Sequence, residues 1–128
     1  MILHHVGIAV IDMEEAKSNI EQLFPGTEFS KIVYDKFQDA FLCLASLSDG
    51  TILELVSGEK VRRIALTGFR LNHLCFETDH FDDVMREWSV NEFDLISEPQ
   101  SAILFGGRRV SFWRTQMGLV ELLEAKIG

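Results

Sequence analysis

The sequence predicts an α+β fold built from two tandem β-α-β-β-β modules. One observation is internal likeness: residues 3–10, Leu-His-His-Val-Gly-Ile-Ala-Val, are echoed by residues 71–78, Leu-Asn-His-Leu-Cys-Phe-Glu-Thr. Residues 51–56, Thr-Ile-Leu-Glu-Leu-Val, are echoed by residues 118–123, Gly-Leu-Val-Glu-Leu-Leu. His73 follows His5 by 68 residues and Glu121 follows Glu54 by 67. The other observation is that the hydrophobic period changes between two and 3.6 in the same order in both halves. The reading is a single domain over 1–128, with one module at 1–57, a linker at 58–69 and a second module at 70–128.

Each element follows from its residues. A first strand at 2–10 turns Val6, Ile8 and Val10 one way and His5, Gly7 and Ala9 the other. Asp12 with Glu15 three residues on is a capping-box pattern. Ala16, Ile20, Leu23 and Phe24 form a helical stripe that Pro25-Gly26 stops. Strands follow at 28–34 and 40–47, and Asp49-Gly50 makes a hairpin turn into 51–57. The linker, with Gly58, Lys60, Arg62, Arg63 and Gly68, has room for one helical turn. In the second module His73, Cys75 and Glu77 share a strand face. Phe81, Val84, Met85 and Trp88 then space a helix that starts at Asp79 or His80. A strand near 92–98 ends at Pro99, Gly106-Gly107 precedes a strand at 109–114, and Met117-Gly118 turns into a last strand at 119–125.

Composition narrows the function classes. The chain has 128 residues, a net charge of −8 and 47% hydrophobic residues, 10 of them Phe. Such apolar content supports a sizeable core. The acidic balance argues against a nucleic-acid partner and against docking on an anionic membrane. Cys43 and Cys75 lie in apolar runs with no CxxC spacing, as reduced, partly buried thiols do. No signal-peptide pattern or bilayer-length apolar run is present, so the expectation is a cytoplasmic, soluble protein.

The repeated His and Glu are the candidate site. Glu54 and Glu121 stand in strands of leucine, isoleucine and valine. A carboxylate buried there is costly without a partner, and a metal ion supplies one. Singly, a strand His is most often a hydrogen-bonded core residue and a strand Glu most often faces solvent. As a matched set, His5, Glu54, His73 and Glu121 point to one divalent ion. Imidazole and carboxylate donors suit Ni, Co, Zn, Mn or Fe, with two open positions for water or a bidentate substrate. His4 and His80 have no counterpart in the other copy and read as structural or solvent-facing.

The opening His-His-Val-Gly-Ile-Ala-Val, the middle Asn-His-Leu-Cys-Phe-Glu-Thr, the run Gly-Gly-Arg-Arg-Val-Ser-Phe at 106–112 and the closing Gly-Leu-Val-Glu-Leu-Leu-Glu at 118–124 resemble the vicinal-oxygen-chelate superfamily over essentially the whole chain. Within it the motifs are most similar to methylmalonyl-CoA epimerases and to small proteins named after glyoxalase I. The resemblance implies a curved, eight-stranded mixed sheet around a metal-binding cleft, and a homodimer. It places ligand roles on His5, Glu54, His73 and Glu121. It implies a metal-dependent isomerase or lyase that moves a proton next to a carbonyl, with Glu121 as base and Glu54 as second candidate. The substrate is then an acyl-CoA in the epimerase reading, or the hemithioacetal of a thiol in the glyoxalase reading. A non-catalytic small-molecule-binding protein of resistance type is the rival class. The further acid that epimerases share on an early strand falls nearest Tyr34, with Asp35 beside it. Arg108 and Arg109 are candidates to hold a substrate anion, one of them facing the cavity. Cys75, Trp113, Phe41 and Phe105 are candidates to line it.

Overall fold

The computed structural model describes residues 1–65 and 70–127. Among the described residues it has three α-helices, nine strands and one 3-10 turn, an α+β protein. The chain divides into two compact units, His5–Asn72 and His73–Gly128, the latter joined by Met1–His4. Each unit carries a mixed sheet.

In the first unit, strand β1 (Ile2–Ala9) leads through Val10 into helix α1 (Met13–Leu23). Asp12 caps that helix, its Oδ1 accepting from the Glu15 amide at 3.1 Å. Its φ of −114° and ψ of 114° are the extended geometry of an N-cap. Asp12→Ala is expected to cost about 1 kcal/mol of unfolding free energy, measured by urea denaturation, with the slope unchanged. Met13, Ala16 and Ile20 are buried and pack on Cys43, Ala45 and Leu55. The expected stripe ends early, because Leu23 and Phe24 are exposed. They lie in the helix's last turn and cap, past the sheet surface that Ile20 reaches.

The single strand expected at 28–34 is two, β2 (Glu28–Phe29) and β3 (Val33–Asp35). Both pair antiparallel with β4 (Ala40–Ser46). Phe29 faces Ala45 and Val33 faces Leu42, so four steps on one strand oppose three on the other. This is a β-bulge. Ser30 stabilises it by accepting from the Leu44 amide through its hydroxyl at 2.8 Å. β4 turns through Asp49-Gly50 into β5 (Ile52–Ser57), with Gly50 at a φ of 93°. Asp49 accepts from the Thr51 amide, which holds its pKa below the usual value. β5 also pairs in parallel with β1, giving the order β2-β4-β5-β1. In place of one helical turn, the linker carries a helix, α2 (Glu59–Ala65), anchored by buried Val61 and Ala65. Gly68 and the rest of 66–69 lie outside the described residues.

In the second unit, β6 (Arg70–Thr78) leads into α3 (Phe81–Val90). Thr78 Oγ1 accepts from the His80 amide at 3.0 Å and shapes that turn. Phe81 is buried, and Val84, Met85 and Trp88 pack against Trp113 and Leu122. β7 (Asp94–Ser101) runs past Pro99, where the sequence reading ended it. β7 is an edge strand, and its register slips between Ser97 and Gln100. A proline without an amide proton is tolerated at such a place. The 3-10 turn Ile103–Phe105 and Gly106-Gly107, both at positive φ, lead to β8 (Arg109–Thr115). β9 (Gly118–Glu124) then inserts between β8 and β6, in the order β6-β9-β8-β7.

Candidate metal centre

In the first unit, parallel pairing of β1 and β5 sets Glu54 opposite Gly7. His5 lies two residues before Gly7 on the same face. Its Nε2 is 3.8 Å from Glu54 Oε2, and both residues are 2% exposed. On the other flank Glu54 faces Leu44 of β4. In the second unit, β6 and β9 set Glu121 opposite Cys75. His73 lies two residues before Cys75. Its Nε2 is 3.2 Å from Glu121 Oε1, at 1% and 2% exposure. On the other flank Glu121 faces Phe112 of β8, whose ring meets His73 edge-on at 5.8 Å.

The two pairs occupy the same register. Gly7, Leu44 and Glu54 in one unit correspond to Cys75, Phe112 and Glu121 in the other. Each unit thus buries one imidazole nitrogen and one carboxylate oxygen side by side in an apolar strand environment. That donor chemistry fits a borderline divalent cation. Ligation would also keep the carboxylate ionised inside the protein.

The remaining candidates disperse. Arg108 gives its guanidinium to Glu77 Oε2 at 2.6 Å, to the Glu124 carbonyl at 3.1 Å and to the Phe105 carbonyl at 3.1 Å. Glu77 shares the His73 face, so Arg108 is the arginine on that side. Glu77 itself lies four residues, about 13 Å, along the strand from His73. Arg109 takes the other face, over the Phe81 ring and between Asp82 and Glu124. A substrate anion reaching either arginine would have to displace a carboxylate. Trp113 is fully buried under α3 and donates to Ser111 Oγ at 2.9 Å. Cys75 is fully buried on the His73 face, and Phe41 is half-exposed on the face opposite Glu54. Phe105 packs edge-on against His4 at 5.1 Å, and the His80 side chain is largely exposed beside Asp79. Asp35 is buried but accepts from the Phe37 amide at 2.9 Å and Gln38 Nε2 at 2.8 Å. Tyr34 donates its hydroxyl to Asp39. Sequence reading passed over the Glu77 carboxylate as a partner for Arg108. An acid two positions beyond Cys75, on the same strand face, was the available signal.

The Arg109 cluster has a pH signature. Hydrogen bonds from Arg109 hold the Asp82 and Glu124 carboxyls below their usual pKa. The same bonds raise the Arg109 pKa. Both acids therefore contribute stability above their unfolded pKa values, near 4, and that stability is lost as pH falls through their lowered folded values. Arg109→Gln is expected to lower the melting temperature at pH 7 and to shrink the difference between wild type and variant at pH 2. Thermal scans from pH 2 to 7 check this.

A family model for the glyoxalase/bleomycin resistance protein/dioxygenase superfamily matches residues 4–112. The chain belongs to that superfamily. No curated protein sequence matches it. Among solved structures, this superfamily member is similar to methylmalonyl-CoA epimerase from Mycobacterium tuberculosis, with a TM-score of 0.82, 19% identity, and coverage of 98% of this chain and 88% of that one. A hypothetical protein from Bacillus halodurans gives 0.81 and 18%, covering 99% and 96%. A Streptomyces coelicolor methylmalonyl-CoA epimerase variant, solved with 2-nitronate-propionyl-CoA, gives 0.76 and 20%, covering 98% and 97%. At these identities the likeness shows the fold of the superfamily member. Among its described residues no helix is long and apolar enough to cross a membrane.

Proposed function

We propose that this chain is a divalent-metal-dependent isomerase or lyase that transfers a proton on the carbon next to a carbonyl. The observation that carries the reading is the pair of buried imidazole–carboxylate sets in matching register. His5, Glu54, His73 and Glu121 would together hold one ion. Ni, Co, Zn, Mn and Fe all suit these donors. When bound, the ion supplies Lewis-acid stabilisation of the charge that develops on the carbonyl oxygen. Glu121 is the base that takes the α-proton, and Glu54 is its counterpart for return of the proton.

Acyl-CoA thioesters are the favoured substrate class, since epimerases solved with such ligands share the fold. Epimerisation removes a proton from one side of the carbon and returns it to the other, so two acid–base groups are needed. Asp35, the acid nearest the position expected for a separate second group, is held in its own turn by two donors. Glu54 and Glu121 must then serve as the two groups. That same economy favours a second reading, a glyoxalase-type 1,2-proton shift on a thiol hemithioacetal, in which the proton need only move to the neighbouring carbon. We place the protein in the cytoplasm as a homodimer.

The test is metal content by mass spectrometry of the purified protein, alongside two assays. Wild type is expected to hold one divalent ion per chain, and His5→Ala or Glu121→Ala to lose at least tenfold. Deuterium wash-in at the α-carbon of methylmalonyl-CoA supports the epimerase reading. Turnover of methylglyoxal with glutathione supports the second. Unchanged metal content in both variants would remove the metal centre. A metal-loaded protein silent in both assays would leave a binding protein of the resistance type.

A further inference from the structure

The first unit has a concavity on the sheet face opposite Glu54. It is a cavity of about 330 Å³ framed by α2, the β3–β4 turn and the segment after β1. Such a volume is at the small end of ligand sites. Tyr34 and Phe41 form one wall, their rings edge-to-face at 5.3 Å and each about half exposed. Ile11 and Val10 extend this apolar wall. Ser57 lines the cavity and is 7% exposed. Its hydroxyl supplies a donor and an acceptor at the cavity wall.

Charge of both signs surrounds the rings. Arg62 of α2 lines the cavity, with the Asp39 and Glu59 carboxylates. Asp39 holds a left-handed backbone, at a φ of 50°, and accepts from the Tyr34 hydroxyl. A non-glycine residue in that region is uncommon and marks a constrained place. The adjoining backbone is equally constrained. A Cβ added at Gly58 would lie 2.8 Å from the Asp39 carbonyl oxygen, so α2 can start this close to the turn only from a glycine.

We infer that this cavity binds a small zwitterion with an apolar body, the size and chemistry of an apolar α-amino acid. The apolar body packs on Phe41, Tyr34 and Ile11. The ammonium group meets the carboxylates of Asp39 and Glu59. The carboxylate meets Arg62, and the Ser57 hydroxyl donates to it. A plain anion is disfavoured by two carboxylates against one guanidinium, and a plain cation leaves Arg62 and Ser57 unmatched. This inference does not rest on the metal centre, and its test runs on protein of any metal content.

The experiment is amide NMR titration of the full chain with L-phenylalanine, 3-phenylpropylamine and 3-phenylpropanoate. L-Phenylalanine is expected to move the amides of Ile11, Tyr34, Phe41 and Gly58 while those of Cys75 and Leu122 stay fixed. The amine and the acid alone should bind at least tenfold more weakly. Ser57→Ala and Arg62→Gln should each weaken the zwitterion about tenfold, with unchanged dispersion of the remaining amides showing that the fold is kept. Absence of shifts at millimolar zwitterion would overturn the inference. So would equal affinity for the amine alone, or binding indifferent to Arg62→Gln.

Discussion

Glu121→Gln is expected to lower proton-transfer turnover by about 10²–10⁴-fold at saturating metal, the range a positioned general base contributes. Glutamine preserves volume and keeps an oxygen donor, so packing against Phe112 and Cys75 survives. It cannot accept a proton from carbon. Metal affinity should also fall, because a neutral amide no longer balances a divalent charge, and excess metal separates the two effects. Glu54→Gln is the internal comparison. If both carboxylates act on the substrate, interconversion of the two epimers should fail in both variants, while Glu54→Gln still washes in deuterium from the one side that Glu121 serves. If Glu121 alone is the base, Glu54→Gln keeps interconversion once the ion is restored. Turnover of Glu121→Gln within threefold of wild type at saturating metal would remove this carboxylate from the chemistry.

The repeat that suggests this experiment was legible because strand register is arithmetic. His5 and His73 sit at like distances from Glu54 and Glu121 in sequence, and the parallel pairings set Gly7 and Cys75 opposite those glutamates. A shift of one residue in either pairing would have sent the carboxylate to the other face. The start of α1 was equally plain, since Asp12 had its partner three residues on. What the sequence hid depended on tertiary partners. The bulge after Phe29 exists because the Ser30 hydroxyl substitutes for a backbone acceptor, and many serines on strands do not. Pro99 did not end its strand because β7 is an edge, which is a property of the sheet. Leu23 and Phe24 match a helical stripe but extend beyond the surface it packs on. Alternation required Arg108 and Arg109 to face opposite ways, but only the contacts to Glu77 and to Asp82 assign which is which. Lining residues were the least legible. An aromatic on a strand reads alike whether it walls a cavity or fills a core.

Trp113 shows that last point, and it carries the largest expected effect on stability. It is fully buried, meets Trp88 edge-to-face at 5.5 Å, packs with Phe81 and Leu122, and donates its indole N–H to Ser111. Trp113→Ala is expected to cost about 3–5 kcal/mol, the usual range for emptying such a site. Domains of this kind have roughly 5–15 kcal/mol in total. The melting temperature should fall by roughly 10–20 °C. Trp113→Phe keeps most of the ring contact and abandons the Ser111 hydroxyl, so a loss of about 1–3 kcal/mol is expected. Trp113→Phe combined with Ser111→Ala should recover part of it, because the stranded acceptor is then gone. Since the ring belongs to the α3 core, KM for any substrate should stay within twofold in Trp113→Phe. A raised KM with an unchanged melting temperature would make Trp113 a wall of the substrate site instead.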